Sequence, residues 1–477
     1  MSKMFKLPSF AQHGIIYAIG NAINTMLAFF LIPIYLKHLT VAEYGIYGLL
    51  LIIIQVVSRF GNLGIDSSML RSSYDFKDEE SRGKVYFTSL VMMVTVLIVV
   101  VVLIILIRKP ISRAVFNDTA YSNMIAYAVV IGALRAIRNL PQTILRIYKK
   151  SALYITMEVI NFVVGLAILI YLIEYRGLGL YGLILGTFYS MIFNTVLFAI
   201  VVMKYYRVGL IWSEISKQIK FGLPLVPAVV SSLLFLASGR FLLGKFHTLE
   251  AVGIFTLSVQ LAGMLETFFG KPIKLSWQPY YLENFDKENI RDHFARITGI
   301  VAAISIFIAT TMAFFAEPIF SLFAKPSYMV AAKYLPYLLS LYAFWTLVPI
   351  YNGEVIATRK TSFIMKNFAM GAVISLLSGI ALIPRLGIYG AIISLALAYI
   401  TMFVNIQWFN KKLRHNYINW RTHWIIYIVG FAFILSASFF YGITSMWSIV
   451  LRLILLLLLG MLMFFNRWFG LKRILKI

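Results

Sequence analysis

A stretch near the start of this chain returns 208 residues later, and no other feature constrains the fold as much. Lys37-His-Leu-Thr40-Val-Ala-Glu-Tyr-Gly45-Ile46-Tyr47 reappears as Lys245-Phe-His-Thr248-Leu-Glu-Ala-Val-Gly253-Ile254-Phe255. Leu178-Gly179-Leu-Tyr181-Gly182 reappears as Leu386-Gly387-Ile-Tyr389-Gly390, and Pro141 as Pro349, all at the same offset without a gap. One short match is chance; three in register indicate a duplicated unit. In a hydrophobic chain, duplication points to a transporter of two lobes with its site between them.

Hydrophobic residues make up 61% of the 477 and charged residues 13%, too much apolar surface for a soluble domain to hide. They come in runs of about 20, the length that crosses a hydrocarbon core of roughly 30 Å as a helix. The chain reads as an all-α polytopic membrane protein. Its first apolar run is too long and too studded with polar residues for a cleavable signal peptide, so it is expected to stay as the first span. There is no cysteine, which excludes disulfides, thiolate metal sites and cysteine nucleophiles. A net charge of +25 would suit nucleic acid. In a membrane protein the excess follows from lysine and arginine gathering in cytoplasmic loops, so no nucleic-acid partner is expected.

Hydropathy predicts about fourteen spans, near residues 13–36, 44–65, 85–107, 121–146, 152–173, 180–203, 221–244, 251–270, 297–323, 328–353, 362–383, 388–409, 423–441 and 446–466. Glu266 and Lys271 blur the end of the eighth. With the N-terminus placed inside, the inner segments hold 28 lysines and arginines and the outer ones 9, which favours both termini in the cytoplasm. The remaining six, Arg59, Arg135, Arg138, Arg240, Lys366 and Arg452, fall within spans. The repeat makes spans 1–6 an N-lobe (1–207) and spans 7–12 a C-lobe (221–414). An even number of spans in each makes the two repeats parallel. Residues 415–477 add spans 13 and 14 with a basic tail. Residues 208–220 form a cytoplasmic amphipathic linker. Its Leu210, Ile211, Ile215 and Ile219 share one face, the pattern of a helix lying on the inner membrane surface.

Two spans carry polar stripes. Gln55, Ser58, Arg59, Asn62 and Asp66 in the second, and Arg135, Arg138, Asn139, Gln142 and Arg146 in the fourth, share the spacing i, i+3, i+4, i+7, i+11. At 3.6 residues per turn each set is one helix face. Asn21, Asn24 and Thr25 extend the polar lining on the first span. Lipid cannot satisfy such groups. An arginine at mid-span costs roughly 2.5–3.5 kcal/mol on insertion scales, so four facing lipid would cost on the order of 10 kcal/mol. Arg59, Arg135, Arg138 and Arg240 are therefore expected to converge on the interior as an anionic-head-group site, guanidinium being the donor fork best matched to phosphate. Arg452, near the outer end of its span, can snorkel and reads as structural; Lys366 is ambiguous. The competing reading pairs the arginines with the acids Glu158 and Glu266 as structural bridges, or gives those acids a coupling role. Two acids are too few to neutralise the set.

The tenth span carries Tyr334, Tyr337, Tyr342, Trp345 and Tyr351 where the fourth carries its basic stripe. Such rings hold sugars or simply pack at an interface. Pro141 and Pro349 are expected to kink or break the fourth and tenth spans. No Walker A pattern, HExxH, GxSxG or acidic DxD is present, and the histidines lack metal-ligand spacing. The chain does not read as an enzyme, and no cofactor, catalytic residue or metal site is expected.

Leu39-Thr-Val-Ala-Glu-Tyr-Gly-Ile-Tyr-Gly-Leu-Leu, followed by Gly64-Ile-Asp-Ser-Ser-Met-Leu-Arg71, resembles the bacterial polysaccharide-transport flippases of the multidrug/oligosaccharidyl-lipid/polysaccharide flippase superfamily. The resemblance implies two six-helix bundles in a V shape, an alternating-access cycle, and a bacterial inner-membrane location. It implies a cargo of oligosaccharide on undecaprenyl pyrophosphate, turned from the inner to the outer leaflet for surface polysaccharides such as O-antigen. It also brings in polysaccharide polymerases or other assembly proteins as partners. In the related lipid II flippases cavity arginines engage the pyrophosphate; those flippases also have fourteen helices, which implies a lipid-tail groove formed here by spans 13 and 14. Some relatives bind sodium through a second-lobe acid, which spans 7, 11 and 12 lack here. The alternatives are a multidrug exporter of the same fold, which needs an acidic cavity, and a membrane glycosyltransferase or polymerase, which needs a catalytic acid or a large outer loop.

Overall fold

The repeated segments mark where helices begin. In a computed structural model that describes residues 31–222, 224, 226–285, 290–322, 324–360, 362–413, 420–443 and 445–465, Thr40 caps α1 (Val41–Asn62). Its hydroxyl accepts from the Glu43 amide at 3.2 Å while the Glu43 carboxylate accepts from the Thr40 amide at 2.8 Å, a reciprocal capping box. At the second copy Thr248 accepts from the Ala251 amide at 3.2 Å and starts α10 (Leu249–Leu265). The second motif works the same way. Gly179 and Gly387 sit at φ +51° and +56°, a conformation that favours glycine, as the first residue of α7 (Gly179–Val202) and the N-cap of α16 (Ile388–Lys412). Gly182 and Gly390 then let those helices approach backbone. A Cβ on either would come within 3.0 Å of the Leu172 carbonyl oxygen and 2.6 Å of the Leu382 carbonyl oxygen, respectively.

The chain divides into two compact units, Met1–Leu233 and Leu234–Ile477, and the division falls within α9 (Val226–Phe246). The first unit holds α1, α2 (Ile65–Ser72), α3 (Glu79–Leu106), α4 (Arg108–Phe116), α5 (Ser122–Ile147), α6 (Ser151–Ile170), α7 and α8 (Trp212–Gly222). Within it α1 and α3 pack on α5, and α7 packs on both α5 and α6. The second unit holds α10, α11 (Lys271–Asn284), α12 (Ile290–Ser321), α13 (Val330–Trp345), α14 (Val348–Ala357), α15 (Ser362–Leu386), α16, α17 (Trp420–Ser436) and α18 (Met446–Phe465). There α10 and α12 pack on α13, and α16 packs on α15, α13 and α14. The pairing order is the same in both, as a duplicated helix unit requires. Helices α17 and α18 pack on α12.

Among the described residues eleven helices are long and apolar enough to cross a membrane. The three further expected spans are accounted for individually. Most of the first lies outside the described residues, and the thirteenth is represented by the shorter apolar stretch Tyr427–Phe440. The tenth is broken at Thr346–Leu347 into α13 and α14, with Pro349 in the first turn of α14, where its missing N–H leaves no bond unmade. Its counterpart Pro141 lies inside an uninterrupted α5. Both of these helices end alike. Lys149 (φ +54°) and Arg359 (φ +59°) turn the chain so that the Lys150 and Lys360 amides close back on the carbonyls of Leu145 and Val355 at 2.9 and 3.0 Å.

A candidate anion site in the first unit

The α1 stripe is interrupted. After Asn62 the chain passes through Leu63 (φ +39°) and Gly64 (φ +76°) and restarts as α2. The Asn62 carboxamide oxygen accepts from the Asp66 amide at 3.2 Å, and Asp66 accepts from the Ser67 amide at 2.7 Å. Asn62 and Asp66 thus shape the break, and Asp66 does not continue a single helix face with Gln55 and Arg59, contrary to the spacing argument. Gln55 and Asn62 are half-buried, and Arg59 is open.

The α5 stripe lies on one helix. Arg135, Arg138, Asn139 and Gln142 are half-buried. Arg135 stands within electrostatic reach of Arg138, Arg59 and the Tyr47 phenol, so α1 and α5 bring three guanidinium groups into one neighbourhood. Arg146, at the end of the stripe, donates to Thr143 Oγ1 at 2.6 Å. The negative partner comes from α6. Glu158 is buried, and its Oε1 accepts from Gln142 Nε2 at 2.7 Å while Arg138 Nη1 lies 3.7 Å away. Arg138 Nε is buried and finds no acceptor among the described residues. The structural-bridge partner named from sequence is therefore present for Arg138, and among the described residues it leaves the Nε of that guanidinium without an acceptor. Asn21 and Asn24 lie outside the described residues, as does Thr25.

Arg240 belongs to the second unit, where it lines a small pocket with Tyr342, Tyr399, Ser238, Ser375 and Phe255. Ser238 and Ser375 share a 2.8 Å hydrogen bond. Glu266 and Arg240 both act on the Tyr342 phenol, and Glu266 folds over Gly270 in a π-helical turn, Glu266–Gly270, that ends α10. The aromatic stripe of the tenth span packs against rings of α16. Tyr334 and Tyr337 meet Tyr389 at 5.1 and 5.7 Å, Trp345 stacks on Tyr399 at 4.6 Å, and Tyr351 meets Phe403 at 5.0 Å.

Two charged residues differ from the sequence reading. Arg452 does not snorkel. It is 2% exposed, and its guanidinium donates to the carbonyls of Phe314, Phe440 and Ile443 at 2.9, 3.0 and 3.0 Å. Glu354, not singled out from sequence, is fully buried in α14 and accepts from Tyr281 Oη at 3.1 Å. A lone acid directly after the apolar run of the tenth span was the signal. Among the described residues no three His, Asp or Glu side chains gather as a metal site.

The fold is that of known flippases and transporters. Over 94% of this chain and 99% of the other, it superposes on the lipid II flippase MurJ in its inward closed conformation with a TM-score of 0.73 at 13% identity. An inward-facing multidrug resistance MATE transporter of the MOP superfamily matches with a TM-score of 0.67 at 14% identity, covering 84% of this chain and 94% of that one. Likeness at such identity establishes the shared fold; both are transport proteins rather than enzymes. In sequence, 123 residues are 31% identical to the uncharacterized membrane protein MJ1068 of Methanocaldococcus jannaschii, a match over 26% of this chain and only 24% of that protein. Residues 37–332, more than half of the chain and including the whole α1–α5 site, match the family model described as polysaccharide biosynthesis protein, and the chain belongs to that family.

Proposed function

We propose that this protein is a flippase for lipid-linked oligosaccharide on an undecaprenyl-pyrophosphate carrier. It turns the head group from the inner to the outer leaflet of a bacterial inner membrane by alternating access while the lipid tail stays in the bilayer. The reading rests on the family and fold, and one observation carries it toward an anionic head: among the described residues, Glu158 is the carboxylate beside three arginines of α1 and α5, and Arg138 Nε has no acceptor. A buried donor without a partner costs about 1–3 kcal/mol, and a phosphate oxygen is the acceptor that would remove that cost with charge to match. Arg59, Arg135 and Arg138 bind the head group in the first unit, and Arg240 offers a fourth guanidinium in the second. The multidrug-exporter reading needs an acid free to take a cation, whereas Glu158 is engaged with Arg138 and Gln142.

Complementation of a flippase-deficient strain tests this. With membrane levels matched to wild type, the Arg135→Ala/Arg138→Ala double variant is expected to lose transport, and the double Arg→Lys variant to keep part of it, because lysine preserves charge without the fork. Wild-type transport by the double alanine variant overturns the arginine mechanism. Failure of the unaltered protein to support any lipid-linked saccharide overturns the flippase assignment.

A further inference from the structure

The segment between α7 and α9 is built inside out for a helix in water. Residues 203–225 connect two membrane spans, and α8 lies on α2 and α3. Its inward side is polar. Glu214 and Gln218 are fully buried; Gln218 Nε2 donates to Ser89 Oγ at 2.7 Å, and just ahead of the helix the Ile211 amide donates to Thr88 Oγ1 at 3.0 Å. Gly222 packs so closely on the Leu63 carbonyl oxygen that any Cβ would strike it, which pins the end of α8 to the α1–α2 break. The outward side sets large apolar side chains among Ser213, Ser216, Lys217 and Lys220. Val208 is 84% exposed, Trp212 76% and Ile219 49%, and Leu210 and Phe221 are open as well. Five large apolar side chains turned outward over buried polar groups make sense only if the surrounding medium is itself partly apolar.

Charge narrows what that medium is. Lys204, Arg207, Lys217 and Lys220 lie on or beside the segment; its one acid in sequence, Glu214, is paired with Lys217 at 2.6 Å, and Asp75 from the turn after α2 also acts on Lys217. Short tethers to the spans on both sides hold the segment at the membrane surface, where the groups within reach are lipid head groups. We propose that Val208–Phe221 is an in-plane membrane helix whose partner is the anionic phospholipid of the leaflet it lies on, with Trp212 and its apolar neighbours in the acyl boundary and the rim cations on head-group phosphates. Each cation near a negative leaflet contributes on the order of a fivefold preference, so the unpaired ones together select anionic over zwitterionic lipid. The inference is independent of the cargo and of the arginines of α5.

Trp212 is its own reporter. Full-length protein in nanodiscs, compared with its Trp212→Phe variant, isolates the Trp212 emission. Brominated phosphatidylglycerol should half-quench that emission at a several-fold lower mole fraction than brominated phosphatidylcholine. In the Lys204→Gln/Lys220→Gln variant the two lipids should converge while quenching by phosphatidylcholine persists. Absence of quenching by either lipid overturns the membrane placement. Equal quenching by both in the unaltered protein overturns the anionic preference.

Discussion

Arg138 Nη1 stands 3.7 Å from Glu158 Oε1, close enough to attract and too far to hydrogen-bond, while Gln142 takes the short 2.7 Å bond to the same oxygen. The guanidinium is therefore held near a carboxylate that does not saturate it. On the proposed function an incoming phosphate would compete with Glu158 for this fork, which gives the acid a measurable signature. Glu158→Gln keeps the shape and removes the competing charge, so binding of a pyrophosphate lipid to purified protein should tighten. Arg138→Ala should weaken binding by on the order of tenfold or more, the loss of one charge-assisted contact of about 1.5–3 kcal/mol. If Glu158→Gln instead removes the protein from the membrane and adding Arg138→Ala restores it, the pair is a structural bridge.

Arg452 ties the C-terminal helices to the rest of the second unit. Its fork spans the Phe314 carbonyl on α12 and two carbonyls of the turn before α18, and Glu317 accepts from the Gly442 amide at 3.0 Å beside it. Arg452→Met should lower the thermal midpoint in detergent by several degrees, a destabilisation of about 2–4 kcal/mol from the lost charged bonds. Arg452→Lys should recover little of it, because one ammonium lacks the planar spread of donors. A midpoint unchanged by Arg452→Met would show that packing alone holds these helices.

The glycines of the repeated Leu-Gly-x-Tyr-Gly motif separate two kinds of cost. Gly179→Ala and Gly387→Ala place a side chain at positive φ, about 1–2 kcal/mol each. Gly182→Ala and Gly390→Ala force a Cβ onto backbone, more severely at Gly390, where the carbonyl contact is 2.6 Å rather than 3.0 Å. Thermal unfolding should rank Gly390→Ala below Gly182→Ala. The reverse order would mean that the α15–α16 turn yields more easily than the α6–α7 turn.

Orientation is tested at the ends. The 28:9 division of basic residues predicts Met1 and Ile477 on the cytoplasmic side. Fusions at both termini should report the cytoplasm. If both report the outside, the proposed direction of transport reverses, and so does the leaflet that α8 contacts. If they disagree, the number of spans is odd.

What was legible in sequence was local. Apolar runs located the spans, and the repeated residues announced a duplication because Thr40, Thr248, Gly179 and Gly387 do chemistry with their near neighbours. The α1–α2 break was also written locally, in Asn62-Leu63-Gly64, but helical spacing overrode the glycine and carried the stripe on to Asp66. The linker helix could be placed from Leu210 to Ile219, whereas its buried Gln218 depends on Ser89, 129 residues away. Arg452 reads as structural from sequence, but its partners do not: its acceptors are carbonyls, which no residue type reveals, and one is 138 residues distant. Glu354 escaped because the expected span stopped at residue 353. Among the site residues, the α5 face followed from periodicity, while the engagement of Glu158 with Gln142 needed two helices to be packed.

The helix starts of the two halves match while their interiors do not, with arginines along α5 and stacked rings along α13. Caps and tight turns tolerate few residue types and act over a few positions, so each copy needs its own. An interior face answers only to what touches it, and is free to drift toward a new task once a second copy carries the old one. Such a protein carries its assembly instructions twice, while the faces its two halves present are free to differ.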